Sequence, residues 1–157
     1  MTLSGSALGV TTSFGTFGIF ASGGKVTSLT FSPPEEECLL PEDETVLREA
    51  ARQLNEYLSG ERKAFSIPLS FPQKGFSGRV LQLLREIPYG SCRSYGELAV
   101  AAGSPKAARA VGAACHHNPI PIFIPCHRVV GKNGRLTGYA GGLPLKERLL
   151  RLEGVIK

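Results

Sequence analysis

At 157 residues of ordinary globular composition, the chain suits one domain or two small ones and excludes a large multidomain enzyme. Its apolar runs break well before the roughly 18 residues a membrane span needs, and Met1–Val10 lacks a basic start, so no membrane partner and no export are expected; the four cysteines then read as thiols in a reducing cytoplasm, with no spacing that suggests zinc. The net charge of +5 is uneven, because residues 1–74 hold six Lys/Arg against nine acidic residues and residues 75–157 hold twelve against four, which places a polyanion-binding candidate in the second half.

In chain order, Thr11–Phe31 is rich in Thr, Phe and Gly, and Ser22-Gly23-Gly24-Lys25 divides two partly alternating apolar stretches, which predicts a β-hairpin. After Pro33-Pro34 and an acidic stretch, Val46, Leu47, Ala50, Ala51, Leu54, Tyr57 and Leu58 recur at helical spacing, with Gly60 just beyond. Phe65–Phe71 alternates but carries two prolines, so at best it is a short edge strand. From Phe76, Val80, Leu83, Leu84 and Ile87 predict a helix that Pro88 and Gly90 close. Ser94 with Glu97 forms a capping box opening a helix from Tyr95 to about Ala102. Gly103-Ser104-Pro105 then supplies a terminating glycine, an N-cap and a first-turn proline for a helix over about 105–116. Two short helices around a tight turn read as a helix-turn-helix, with Arg109 standing out on a smooth Ala/Gly surface; close helix packing explains the small residues equally well. The expected fold is α+β: a small N-terminal domain (1–73) of antiparallel hairpin or sheet plus a helix, and a mostly helical C-terminal domain (74–157).

The chemistry concentrates in Asn118–Val130, where an apolar, proline-stiffened segment delivers Cys126-His127-Arg128. A free thiol is mostly protonated at neutral pH, so a nucleophilic cysteine needs a base or a nearby positive charge, and His127 and Arg128 are candidates for both. Glu147 or Glu153 could orient the histidine as the third member of a relay. The same residues also fit a buried thiol beside a surface imidazole.

The run Pro125-Cys126-His127-Arg128-Val129 resembles the active-site signature of the O6-alkylguanine-DNA alkyltransferases, and the resemblance extends from about Phe76 to Glu153. It includes Ile87-Pro88-Tyr89-Gly90, Ser94-Tyr95-Gly96-Glu97, Ala107-Ala108-Arg109-Ala110-Val111-Gly112, Asn118-Pro119 and Gly138-Tyr139-Ala140-Gly141-Gly142-Leu143. The resemblance implies DNA repair by direct, irreversible transfer of an alkyl group from O6-alkylguanine in double-stranded DNA, without cofactor or metal, by a monomer. Cys126 would be the acceptor, His127 the base acting through a water, Glu153 the residue fixing its tautomer, and Tyr95 the hydroxyl offered to the guanine. Arg109 would fill the gap left by the flipped nucleotide, Asn118 would tie the helix-turn-helix to the active-site segment, and Tyr139 and Ala140 would wall the pocket. Family members bind through the minor groove, with Lys106, Arg128, Lys132 and Arg135 as expected DNA contacts. Ala140 stands where some relatives have Ser, and Leu81 where many have Trp. Cys115 is a second thiol near the pocket wall, and Cys38 alone gives the first domain no zinc set. Three rival readings are a lesion-binding sensor, which would replace the acceptor cysteine, a helix-turn-helix regulator, and a cysteine hydrolase, for which no oxyanion-hole motif is evident.

Overall fold

A computed structural model describes residues 5–157; residues 1–4, the start of the segment read for an export signal, lie outside the described residues. The chain separates into two compact units, Met1–Phe71 and Pro72–Lys157, in an α+β fold. Among the described residues no helix is long and apolar enough to cross a membrane.

The first unit is an antiparallel sheet of β1 (Ser6–Thr12), β2 (Gly15–Ser22) and β3 (Lys25–Thr30) in that order, covered by α1 (Pro41–Leu58). The expected hairpin is β2–β3. Its two-residue turn needs a left-handed backbone at both positions, and Gly23 and Gly24 provide it with φ of 61° and 78°. The prediction of a hairpin alone misses β1, which pairs with β2 from Ser6↔Ala21 to Thr12↔Gly15. Its alternation is blurred by Ser and Gly, so it carries a weak period-two signal. Both sheet edges are closed by single bridges: Ala7 exchanges hydrogen bonds with Cys38, and Val26 bonds Pro68 and Ser70, all that remains of the edge strand expected over 65–71. The α1 stripe Val46, Leu47, Ala50, Leu54, Tyr57 and Leu58 buries against Val10, Phe17, Ile19, Ala21, Val26 and Leu29. Burying each large member contributes about 1.5–3 kcal/mol. The helix starts earlier than its apolar pattern, at Pro41, because a first-turn proline and Glu42, Asp43 and Glu44 suit a helix N-terminus.

The second unit holds α2 (Gly75–Arg85), α3 (Tyr95–Ala101), α4 (Ala108–His116) and α5 (Leu143–Leu152). A short parallel pair joins β4 (Arg93–Ser94) to β5 (Val129–Val130). The capping box at Ser94 and Glu97 is present, with both bonds at 3.0 Å. The helix expected from Pro105 instead begins at Ala108. The Ser104 carbonyl closes only one tight turn, accepting from the Ala107 amide at 2.9 Å, and the α-helical ladder starts with Val111 bonding back to Ala107. The helices α2, α3 and α4 pack together, while α5 packs on the 126–128 turn. Neither β4–β5 nor α5 was among the predicted elements.

Candidate active site

The segment leading to Cys126 is apolar and buried throughout, Ile120, Ile122, Phe123 and Ile124 being at most 5% exposed. Asn118 fixes its shape. Its side-chain amide donates to the Ile124 carbonyl (2.9 Å) and its oxygen accepts the Ile120 amide (3.0 Å), so one buried side chain ties the end of α4 to the turn carrying the cysteine. Ile122, within that turn, has φ of +73°. A β-branched residue there stores strain, a feature that concentrates at functional sites.

Cys126 opens a short 3-10 turn at the floor of a cavity of about 460 Å³, within the usual range for small-molecule sites. One wall is Tyr95, the first residue of α3. A second is the α4 face of Ala108, Arg109, Gly112, Cys115 and His116. The third is the loop Thr137–Ala140, which includes Tyr139. The cysteine is 4% exposed, and what it exposes faces this cavity. Burial pushes its thiol up to about 11, against the lowering effects of the Asn118 amide and the Lys146 charge. Cys115 is pushed up to about 12, also by burial, which makes it the less reactive of the two thiols.

Behind the cysteine, His127 is wholly buried and its Nε2 lies 2.8 Å from Glu153 Oε2. Against the carboxylate Nε2 carries the proton, so Nδ1 is the basic nitrogen. Burial holds the imidazole below its ordinary value despite the Glu153 partner, which keeps it neutral and able to take a proton. Of the two carboxylates the sequence offers, Glu153 is the one beside His127, and Glu147 instead pairs with Arg151 on the surface.

Arg128 corrects an expectation. Read as a DNA contact, it is 7% exposed and turned inward. Its Nε and Nη2 clasp both Glu153 oxygens at 2.8 and 2.9 Å, and Nη1 donates to the Ile87 carbonyl at 2.7 Å. Three of its five N–H donors are engaged inside the protein, and its burial keeps the guanidinium from reaching a phosphate. Lys106, before α4, and Lys132 and Arg135, around the 131–135 turn, are exposed, as is Arg109 on α4.

Lys146 and Thr137 were missed. Lys146 on α5 is fully buried, yet its Nζ donates to the Thr137 carbonyl (2.8 Å) and stands 5.9 Å over the Tyr95 ring. Thr137 Oγ1 in turn donates to Tyr95 Oη at 3.1 Å. The Tyr95 hydroxyl therefore accepts from the loop and keeps its own proton for another acceptor. Burial holds that phenol above its ordinary value, so it stays a donor at neutral pH. The signal for Lys146 was present: with Leu149, Leu150 and Glu153 it forms an i, i+3, i+4, i+7 stripe. Among the described residues no group of three or more His, Cys, Asp or Glu could hold a metal ion.

Comparison with known proteins gives this arrangement a family. Residues 75–155 match the profile "6-O-methylguanine DNA methyltransferase, DNA binding domain", and residues 10–71 match its "ribonuclease-like domain". The chain is 55% identical over 113 residues to the methylated-DNA–protein-cysteine methyltransferase of Methanosarcina acetivorans, covering 72% of each chain. It is 56% identical over 110 residues to the constitutive enzyme of that name from Bacillus subtilis, covering 69% of this chain and 67% of that one. Among solved structures, Mycobacterium tuberculosis OGT in complex with DNA superposes with a TM-score of 0.82 at 40% identity, over 92% of this chain and 90% of that one. The chain therefore belongs to the 6-O-methylguanine DNA methyltransferase family.

Proposed function

We propose that this protein repairs DNA by moving the alkyl group of O6-alkylguanine in duplex DNA onto Cys126, irreversibly and once per molecule. The observation that carries the reading is the position of Cys126, its thiol opening into a cavity between the α4 face and the Thr137–Ala140 loop with His127 and Glu153 behind it. DNA docks on α4 through its minor groove, the smooth Ala/Gly surface allowing close approach, and Arg109 fills the stack as the damaged nucleotide swings out. Lys106, Lys132 and Arg135 contact phosphates.

In the cavity the Cys126 thiol gives its proton through a water to Nδ1 of His127, and the sulfur attacks the alkyl carbon in line. The S–C bond forms as the C–O6 bond breaks. The guanine leaves with negative charge on its ring, which the Tyr95 hydroxyl meets as donor, with backbone amides of the Tyr139–Ala140 loop near O6. Because a thioether is a poor leaving group, no step restores the thiol. The protein works as a monomer in the cytoplasm without a cofactor, residues 1–73 forming one domain and residues 74–157 the DNA-binding, alkyl-accepting one.

Intact-mass measurement after mixing with an oligonucleotide containing O6-methylguanine tests this. One added methyl group on Cys126 is expected, and none on a Cys126→Ser variant that still binds DNA. A lesion-binding sensor or a helix-turn-helix regulator would show binding with no mass change in the unaltered chain.

A further inference from the structure

Beneath the cavity floor, four donors converge on one carboxylate. Glu153 accepts His127 Nε2 at 2.8 Å, Arg128 Nε and Nη2 at 2.8 and 2.9 Å, and more distantly the Gly90 amide at 3.3 Å. Arg128 is itself locked from two further sides, by the Ile87 carbonyl at 2.7 Å and by the Tyr89 ring, whose centroid lies 5.8 Å from its central carbon. Tyr89 donates to the Leu152 carbonyl at 3.2 Å, one residue before Glu153. A buried arginine in a bidentate pair is an expensive construction, and removing one partner of such a pair leaves an uncompensated charge. None of its atoms faces the cavity lining.

We infer that Arg128 is a positioning residue for the alkyl transfer: its bidentate clasp holds Glu153 as a neutralised carboxylate, so that Glu153 orients His127 without drawing a second proton onto it. The inference rests on the repair reading above. Its logic is charge balance in a buried cluster. With Arg128 present, Glu153 and Arg128 sum to zero, and protonating His127 would leave a net buried positive charge. Without Arg128, the same carboxylate stands alone beside the imidazole, and protonating His127 would neutralise the cluster. Burial and the Arg128 charge hold the imidazole down while Glu153 pulls it up, so removing the arginine tips the balance toward an imidazolium paired with Glu153. That imidazolium cannot accept the thiol proton.

Other charged or titratable groups around the imidazole come from several elements. Lys146 from α5 adds positive charge. Cys126 lies on its own turn, and Tyr89, after α2, meets the cluster through Arg128 and Glu153. The bidentate clasp on the Glu153 oxygens is made by Arg128, at 2.8 and 2.9 Å. The pair geometry also explains why arginine serves here: a lysine would carry the charge but could not hold both oxygens and the Ile87 carbonyl in one plane.

The test is the pH dependence of transfer from free O6-benzylguanine, measured by intact mass on the full chain for the unaltered protein, Arg128→Gln and Arg128→Lys. The acid limb of the rate profile is expected to move up by about one to three pH units in Arg128→Gln, with rates recovering at high pH, and by much less in Arg128→Lys. In parallel, the His127 ring is titrated by NMR in a Cys126→Ser background, where its protonation midpoint is expected to rise in Arg128→Gln. A lower rate at every pH with an unmoved limb and midpoint would mean that Arg128 only supports packing, and overturns the inference. If Arg128→Gln fails to fold, Arg128→Met, which also removes the charge but keeps an unbranched stem, is measured in its place: a parallel rise of limb and NMR midpoint supports the inference, and no shift in either overturns it. Absence of transfer in the unaltered protein would sink the repair reading instead.

Discussion

At Cys126 two requirements conflict. A thiol buried enough to exclude water from the reacting carbon is pushed up to about 11, where almost none is ionised at neutral pH. In the proposed mechanism His127 resolves this by serving as the base, and the sulfur stays buried. His127→Gln is therefore expected to leave a thiolate-limited reaction whose rate with free O6-benzylguanine climbs about tenfold per pH unit between pH 7 and 9, whereas the unaltered protein varies far less. A flat profile in the variant would remove the histidine from the proton path. The same residue couples folding to pH. Its folded value is depressed below the ordinary 6.5 by burial, so between that folded value and 6.5 the unfolded chain binds the extra proton and stability rises with pH. Calorimetric midpoints should thus fall as pH drops below about 6.5 in the unaltered protein, and this part of the decline should vanish in His127→Gln.

At the scale of elements, α4 sets its packing against its purpose. A glycine inside a helix costs roughly 0.5–1 kcal/mol relative to alanine, and Gly112 sits mid-helix on the face that walls the cavity. A Cβ placed there would meet only the Tyr95 ring, at 3.9 and 4.0 Å, an ordinary contact. Nothing in the packing demands glycine, so the open space it leaves in the cavity is its use. Gly112→Ala is expected to raise stability by roughly 0.5–1 kcal/mol in thermal melts and to slow transfer from O6-benzylguanine more than from O6-methylguanine; equal slowing would argue against a role in accommodating the alkyl group. Much at this level was legible beforehand. The Ser94–Glu97 capping box, the α1 stripe and the Gly23-Gly24 turn each depend on local rules, and the structure holds all three. What was not legible depends on partners distant in sequence. Arg128 reads as an exposed cation until Glu153, 25 residues on, is seen to fold back onto it. Lys146 reads as a surface charge until α5 turns its stripe inward to reach Thr137. The helix expected from Pro105 starts only at Ala108, after a single turn closed by the Ser104 carbonyl and the Ala107 amide.

For the molecule as a whole, the uneven charge becomes a statement about binding. Residues 75–157 carry the positive excess, and of their cations Arg128 and Lys146 are buried and occupied, so the polyanion-facing charge falls to exposed residues such as Lys106, Arg109, Lys132 and Arg135. Each phosphate contact releases counterions, which makes log affinity fall with log salt by about 0.9 for each contact. Lys132→Ala and Arg135→Ala, measured as duplex binding from 50 to 200 mM salt, are therefore expected to weaken binding alike for every sequence and to reduce the salt slope by about 1 each. Arg48→Ala, which removes an exposed α1 cation already paired with Glu44 at 3.0 Å, should leave the slope where it was. If Arg48→Ala shifts the slope as much as Lys132→Ala does, the contact surface extends beyond the second unit; if neither lysine nor arginine around the 131–135 turn shifts it, the DNA lies elsewhere on this molecule.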